Sequence, residues 1–261
     1  MNRLEDSWSL VLGASSGIGQ GCALALAEAG SHVAGVHFDT AQRGDEVRQL
    51  LQSLRGLGVK AHLFNDNAAS EDGRARLIGE LRSTLDGGGI RVLVHSLAFG
   101  ALAPYVAPSG ALTRRQLDMT LSVMANSLVY WAQDLVEAGL LVRGAHVFAL
   151  TSAGTSRVAR SYGAVSAAKS ALEAHVRQLA VELAPAGISV NAIRAGITLT
   201  PSFLRIPESA ELAERARNHN PHRRLTTPED IAASVVLLAR ADSSWMTGNV
   251  IGVDGGEILT V

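Results

Sequence analysis

The chain predicts a doubly wound α/β fold, a parallel sheet of about seven strands with helices on both faces, and three observations predict it. Short apolar runs alternate with longer segments that carry helical periodicity. The runs are apolar nearly throughout, as strands covered on both faces are, where a half-exposed strand would alternate. A glycine-rich turn joins the first run to the first helical segment, the usual entry to right-handed strand–helix–strand units.

Taken in order, strands are expected at 8–14 (WSLVLGA), 32–38 (HVAGVHF), 61–65 (AHLFN), 91–98 (RVLVHSLA), 145–152 (AHVFALTS), 188–196 (ISVNAIRAG) and 248–256 (GNVIGVDGG). Helices are expected at 17–29, 41–56, 70–86, 113–140, 162–184 and 228–240, where Ala, Leu, Arg and Glu recur at helical spacing. LDGGGI (85–90) reads as a turn before a strand. The stretch 198–224 has prolines and no strand signal, and reads as an insertion outside the sheet, a candidate substrate lid.

With 261 residues and 47% hydrophobic content, the chain supports one large core, so residues 1–261 are expected to form a single domain. A net charge of −1 offers no broad basic field for nucleic acid or an anionic membrane. No stretch approaches the ~18 apolar residues of a membrane span. The start, MNRLEDSWSLVLGASS, has no signal-peptide pattern, and the lone Cys22 fits a reducing compartment, so a cytoplasmic protein is expected. The histidines have no metal-ligand spacing, and no metal is expected.

LVLGASSGIGQG places Gly13, Gly17 and Gly19 between a strand and a helix. Gly13 permits a sharp turn, Gly17 a close approach of backbone N–H groups to a pyrophosphate, and Gly19 tight packing of helix on strand. The helix N-terminus adds partial positive charge at the same place. The alternative is an ordinary strand-to-helix turn.

SYGAVSAAKSALEA (161–174) holds Tyr162 and Lys169 seven positions apart. On one helix that is almost two turns, which puts both on one side, roughly 10 Å apart along the axis. Alternatively, the helix begins just after Tyr162 and the tyrosine hangs from its start. Ser152 lies ten positions before the tyrosine.

Together, GASSGIG (13–19), Asp66 in FNDNA, LVHSLAFG (93–100), the Tyr162/Lys169 helix, SVNAIRAG (189–196) and VDGG (253–256) resemble the short-chain dehydrogenase/reductase family over essentially the whole chain. The resemblance implies a Rossmann-like fold that binds a nicotinamide dinucleotide. It implies contacts from Gly13, Ser15, Ser16, Gly17, Ile18 and Gly19, from His37 at the second strand's end, and from Asp66 and Asn67. Ser96, Ala98, Lys169, Gly196, Ile197 and Thr200 complete the implied set, with Asp66 at the adenine and the loop of Ile197 and Thr200 at the carboxamide. Asp66 also suits a plain strand-end turn.

The family's commoner Y-x3-K pattern would need a tyrosine at Val165. Y-x6-K, with HSLAF (95–99) and Ser152, resembles instead the enoyl-acyl-carrier-protein reductases. That branch implies reduction of an enoyl thioester, with Tyr162, Lys169 and Ser152 as its catalytic set. Tyr162 would donate a hydrogen bond to the thioester oxygen and Lys169 would anchor the ribose. Ser152 either touches substrate or merely ends its strand. Met124 stands where carbonyl-reducing relatives carry a relay Asn, and Asn126 is either a displaced relay member or a surface residue.

His37 is not acidic, Asp39 lies two residues on, and Arg43 suits a 2′-phosphate, whereas Ser16 stands where NADP-binding relatives often carry Arg or Lys; NADP(H) is favoured over NAD(H), with solvated surface groups the alternative for His37 and Arg43. The resemblance further implies a homotetramer. HNPHRR (219–224) is a candidate surface for an acyl carrier protein or coenzyme A phosphates, or a solvated loop. Two other activities stay open: reduction of another enone, carbonyl or imine in secondary metabolism, and dinucleotide binding without chemistry.

Overall fold

The computed structural model describes residues 4–260. Strands β1 (Trp8–Leu12), β2 (His32–His37), β3 (Ala61–Asn65), β4 (Ile90–His95), β5 (Leu141–Ser152), β6 (Ser189–Ala195) and β7 (Val250–Val253) form one parallel sheet in the order β3-β2-β1-β4-β5-β6-β7. This is the Rossmann-like doubly wound sheet that the sequence predicts. Its order reverses between β1 and β4, which opens a crevice above the C-terminal ends of those strands.

The helices are α1 (Gly17–Glu28), α2 (Gly44–Gly56), α3 (Glu71–Thr84), α4 (Arg114–Leu121), α5 (Ser127–Glu137), α6 (Gly163–Leu183), α7 (Pro201–Leu204), α8 (Ser209–His219) and α9 (Pro228–Ala239). Two apolar layers explain the continuous runs. Leu10, Leu12, Ala34, Val36 and Leu93 point to a core completed by α3, α5 and α6 through Leu77, Leu81, Trp131 and Leu172. Val11, Val33, Val92 and Val94 point the other way, against α1, α2 and α9 through Leu26, Leu54 and Val235. Alternate residues of one strand therefore feed different cores, and neither face admits polar side chains freely.

Several boundaries differ from the expectation. β1 stops at Leu12, two residues early, because Gly13 turns away with φ +85°. β4 covers Ile90–His95 where 91–98 is expected, and β5 begins at Leu141, ahead of residue 145. β7 is four residues long where nine are expected, since Gly248, Gly255 and Gly256 all take positive φ at its flanks. The expected 113–140 helix contains a π-helical turn at Ser122–Asn126 between α4 and α5. There the Ser127 hydroxyl donates to the Val123 carbonyl (2.7 Å), a bond that competes with the regular ladder. The 198–224 stretch lies outside the sheet and contains α7 and α8.

Helix α1 is seated by glycines. A Cβ on Gly19 would stand 2.0 Å from the Gly13 carbonyl oxygen, whereas one on Gly79, exposed in mid-α3, would meet nothing within 4 Å. Gly19→Ala should therefore cost about 2–3 kcal/mol by overpacking. Gly79→Ala should gain about 0.5–1 kcal/mol from helix propensity. Urea unfolding of both variants checks the pair, and equal effects would refute the seating argument.

Candidate active site

The turn after β1 is closed by the Gly13 and Ala14 amides, which both donate to the Val36 carbonyl (2.8 and 3.0 Å). Gly13 then passes β4 so closely that a Cβ would lie 2.6 Å from the Ser96 carbonyl oxygen. The first bond within α1 runs from Gln20 N to Ser16 O (3.2 Å), so the amides of Gly17, Ile18 and Gly19 lie ahead of the helical ladder. No acidic residue occupies the first turn, and the Ser16 side chain is not spent as a cap. These free donors at a positive helix end fit the phosphates of a dinucleotide.

Gly17 has φ +56°, and a Cβ there would stand 3.0 Å from the Thr200 methyl. Thr200 caps α7, and the Ser202 hydroxyl donates to the Ala98 carbonyl (3.3 Å). The start of the 198–224 segment thus spans from the glycine loop to the loop after β4. Gly196 is needed on close contact, because its Cβ would lie 2.3 Å from Thr226 Oγ1. The Ile197 amide donates to Glu257 Oε2 (3.0 Å).

At the end of β2, His37 is buried and its Nδ1 donates to Asp39 (3.0 Å). Burial pushes the His37 pKa down, against the pull of Asp39. Arg43 pairs with Asp39 (2.7 Å) and Glu46 (2.7 Å), and reaches the Ser15 carbonyl (3.4 Å). Burial acts to raise the Asp39 pKa, but Ser15, Arg43 and His37 together hold it below the usual range. Asp66 follows β3 and forms a two-bond pair with Arg76 (2.8 Å each), which lowers its pKa. Asn67 Oδ1 accepts the Ala69 amide (3.0 Å), an Asx turn ahead of α3. Both Asp66 and Asn67 thus serve the strand-end turn.

Tyr162 is the residue just before α6 begins, so it hangs from the helix start. Its hydroxyl lies 3.4 Å from Ser152 Oγ, and Ser152 also accepts the Gly154 amide (3.3 Å) where β5 ends. Ser152 therefore ends its strand and also meets the tyrosine. Burial raises the Tyr162 pKa and outweighs the opposing bond from Ser152, so the phenol keeps its proton. Lys169 is 5% exposed, and its Nζ donates to the Leu150 carbonyl (2.7 Å). Burial pushes its pKa down to about 8, with Glu173 pulling the other way.

Sequence reasoning passed over several supports. A Cβ on Gly154 would stand 2.6 Å from the Tyr162 ring, so the ring needs glycine there. The Ser166 hydroxyl donates to the Gly154 carbonyl and fixes that loop on α6. The Tyr105 ring lies over Gly163, whose Cβ would sit 2.8 Å from it. No local pattern announces Tyr105; the proximity of Gly154 to Ser152 was the one available hint. Asn126 is engaged with α6: its Oδ1 accepts from His175 Nε2 (3.1 Å). Val165 and Met124 are 4% and 3% exposed, and both crowd Gly100, whose Cβ would lie 3.0 Å from Val165 and 2.8 Å from the Met124 sulfur. Among the described residues, no cluster of His, Cys, Asp or Glu is placed to hold a metal ion, and no helix is long and apolar enough to cross a membrane.

A helix end suited to an anion at a topological switch, with a half-buried tyrosine and a buried lysine, fits a dinucleotide-binding oxidoreductase. The family model described as enoyl-(acyl carrier protein) reductase matches residues 13–257. The chain belongs to the short-chain dehydrogenase/reductase family, near its enoyl-acyl-carrier-protein reductase branch, and uses NAD(H) or NADP(H). It is 32% identical to cis-4-hydroxycyclohexanecarboxylate dehydrogenase of Sinomonas cyclohexanicum, over 95% of each chain. It is 28% identical to 1-cyclohexenylcarbonyl-CoA reductase of Streptomyces collinus, over 95% of this chain and 85% of that one. The crystal structure of the NADH-dependent enoyl-acyl-carrier-protein reductase of Aquifex aeolicus superposes with a TM-score of 0.85, at 25% identity and 98% coverage of both chains.

Because burial disfavours the ammonium, Lys169 should lose its proton near pH 8 instead of the ordinary 10.5. The charge is thus present below that pH and fades above it. An NMR titration of the Lys169 Nζ in the folded protein checks this; a midpoint at or above 10 would mean that the group is solvated.

Proposed function

We propose that the protein reduces the 2,3 double bond of an enoyl thioester. One observation carries the reading: the hydroxyl beside Ser152 comes from Tyr162, while Val165 and Met124 put buried apolar side chains at the tyrosine and asparagine places of carbonyl-reducing relatives. When bound, the reduced dinucleotide supplies the hydride for the β-carbon. Negative charge then builds on the thioester oxygen, the Tyr162 hydroxyl donates a hydrogen bond to it, and a proton from solvent on the α-carbon completes the reduction. Such a donor supplies about 2.7–4 kcal/mol of transition-state stabilisation. Lys169 contributes positive charge and anchors the ribose from beneath Tyr162. Gly13, Ser15, Ser16, Gly17, Ile18 and Gly19 cradle the phosphates, and Ser96, Ala98, Gly196, Ile197 and Thr200 line the nicotinamide end. Asp66 and Asn67 bound the adenine end.

The 198–224 segment acts as the substrate lid. Phe99, Tyr105, Val106, Leu199 and Leu204 are exposed apolar side chains on the loop after β4 and on this lid, and suit an acyl group. Reduction of a ring carbonyl is the second reading, favoured by the hydroxycyclohexane compound that names one relative, whereas the 1-cyclohexenylcarbonyl-CoA that names another is itself an enoyl thioester and supports the first. On the lid, Arg224 is tied to Asp230 (2.8 Å), which leaves His219, His222 and Arg223, with Arg215 and Arg217 of α8, to meet a carrier protein or coenzyme A. Trp245 and Met246, exposed beside the edge strand β7, support a homo-oligomer such as the tetramer. A cytoplasmic location fits the lone, buried Cys22.

The cofactor's 2′ position divides the evidence. Arg43 favours NADP(H), as the sequence suggests, but it is shared between Asp39 and Glu46. Two carboxylates against one guanidinium leave net negative charge, and this balance supports NAD(H).

Crotonyl and longer enoyl thioesters, assayed with either cofactor, test the activity. Tyr162→Phe should lower kcat roughly a hundredfold or more, with dinucleotide affinity nearly unchanged. Absence of turnover by the folded protein on any enoyl thioester sinks the reading, and turnover of cyclic ketones or enones alone establishes the second one. With the wild-type protein, KM for NADH should lie below that for NADPH. Asp39→Ala should narrow the gap by roughly tenfold, the scale of one charged hydrogen bond; a wild-type preference for NADPH would overturn the charge argument.

A further inference from the structure

Glu257 is a buried carboxylate that the chemistry above does not use. It follows β7, is 5% exposed, and burial raises its pKa. A buried acid is expensive, so its partners matter. Its Oε2 accepts the Ile197 amide (3.0 Å), and a Cβ on Gly196 would stand 3.0 Å from the same oxygen. Arg157, from the loop that leads to Tyr162, donates to the carbonyls of Glu257 (3.3 Å), Ile258 (3.1 Å) and Thr260 (3.2 Å). The far end of the lid reaches the same turn, where Asn220 Nδ2 donates to the Asp254 carbonyl (2.9 Å). The two ends of the 198–224 segment and the tyrosine loop therefore meet near one turn, and Glu257 supplies the side-chain bond to Ile197, the residue just before the lid.

We propose that Glu257 is a positioning residue that presets the cofactor loop: by holding the Ile197 amide it fixes the path from Gly196 to Thr200, and so the placement of Thr200 against Gly17. The inference rests on the reading that Ile197 and Thr200 face the dinucleotide. The Glu257 contact itself does not depend on that reading.

The test compares Glu257→Gln, which keeps an oxygen acceptor, with Glu257→Met, which keeps the length and loses the acceptor. Two readouts are taken on folded protein: dinucleotide affinity by calorimetry, and hydrogen exchange of the Ile197 amide without ligand. Glu257→Met should bind the dinucleotide roughly tenfold more weakly and exchange the Ile197 amide roughly tenfold faster, the scale of one hydrogen bond to a charged group. Glu257→Gln should restore most of both. If Glu257→Met does not fold, Glu257→Asp, with the acceptor one methylene short, replaces it and should move both readouts the same way. Unchanged Ile197 exchange in the acceptor-free or shortened variant overturns the proposal, as does failure of Gln to rescue. Loss of Ile197 protection with unchanged dinucleotide affinity overturns the cofactor role of the loop while leaving the Glu257 contact in place. No dinucleotide binding by the wild type defeats the functional reading, and the exchange data still decide the contact.

Discussion

Gly19 lies so close to the Gly13 carbonyl, and Gly13 so close to the Ser96 carbonyl, that neither tolerates a side chain, and the geometry of the site follows from these two contacts. They press the start of α1 onto the ends of β1 and β4, where the strand order reverses. The helix is held from behind as well: a Cβ on Gly21 would lie 2.9 Å from Pro228, so α9 and α1 pack almost backbone to backbone. Glycine costs conformational entropy at each of these places. What it secures is a fixed direction for the first-turn amides of α1. A loosely seated helix would present the same donors with no defined target. Close packing at three glycines thus becomes electrostatics at one end of a helix.

The second constraint is one of charge. Lys169 is enclosed, and His95 is buried completely near it. Burial and the lysine together push the His95 pKa down to about 3, so His95 stays neutral. Since the Ser127 hydroxyl is committed as donor to Val123, Ser127 Oγ accepts from His95 Nε2 (2.8 Å). A low-dielectric interior supports one cation here and not two. Glu173 sits one helical turn along from Lys169 and accepts from the Thr151 hydroxyl (2.8 Å), which keeps a counter-charge near the ammonium without a direct salt bridge. The π-helical turn that orients Ser127 is therefore part of how the site holds a single positive charge.

The sheet was legible in the sequence because both faces of each strand are apolar, which leaves a pattern that no exposed strand shares. The glycine loop was legible because each glycine answers a separate steric need. Strand ends were less so: Gly13, Gly248, Gly255 and Gly256 terminate their strands through positive φ, and the apolar run does not record where that turn falls. The π-helical turn was hidden, since it depends on a serine bonding backward and leaves Ala-, Leu- and Val-rich periodicity intact on either side. Among candidate site residues, spacing singled out Tyr162 and Lys169, and the family resemblance Ser152. Both missed Gly154 and Tyr105, which matter only because folding brings the first to the Tyr162 ring and the second over Gly163. Asp66 and Asn67 carried a family signal, yet their side chains are engaged with Arg76 and the Ala69 amide. Arg43 illustrates another limit. As a residue it reads as a phosphate ligand, and only the coordinates reveal two carboxylates beside it.

The placement of the phenol distinguishes this chain from its carbonyl-reducing relatives, and the reason is packing. A tyrosine at position 165 would stand within the first turn of α6 and require room where Val165, Met124 and Thr120 close around Gly100. That space is filled, so a hydroxyl cannot be offered from there. Position 162 lies outside the helix, and its ring is held instead by the absent side chain of Gly154, by Ser166 through the loop backbone, and by Ser152 at the hydroxyl. The donor thus arrives from the loop while the ammonium arrives from the helix interior. A carbonyl carbon that accepts hydride needs its proton donor on the adjacent oxygen. An enoyl thioester accepts hydride two bonds further away, with the charge appearing on an oxygen remote from the reacting carbon. On the proposed reading, the three-residue displacement from 165 to 162 matches that longer reach, and the apolar wall left behind keeps other hydroxyls away from the shorter one.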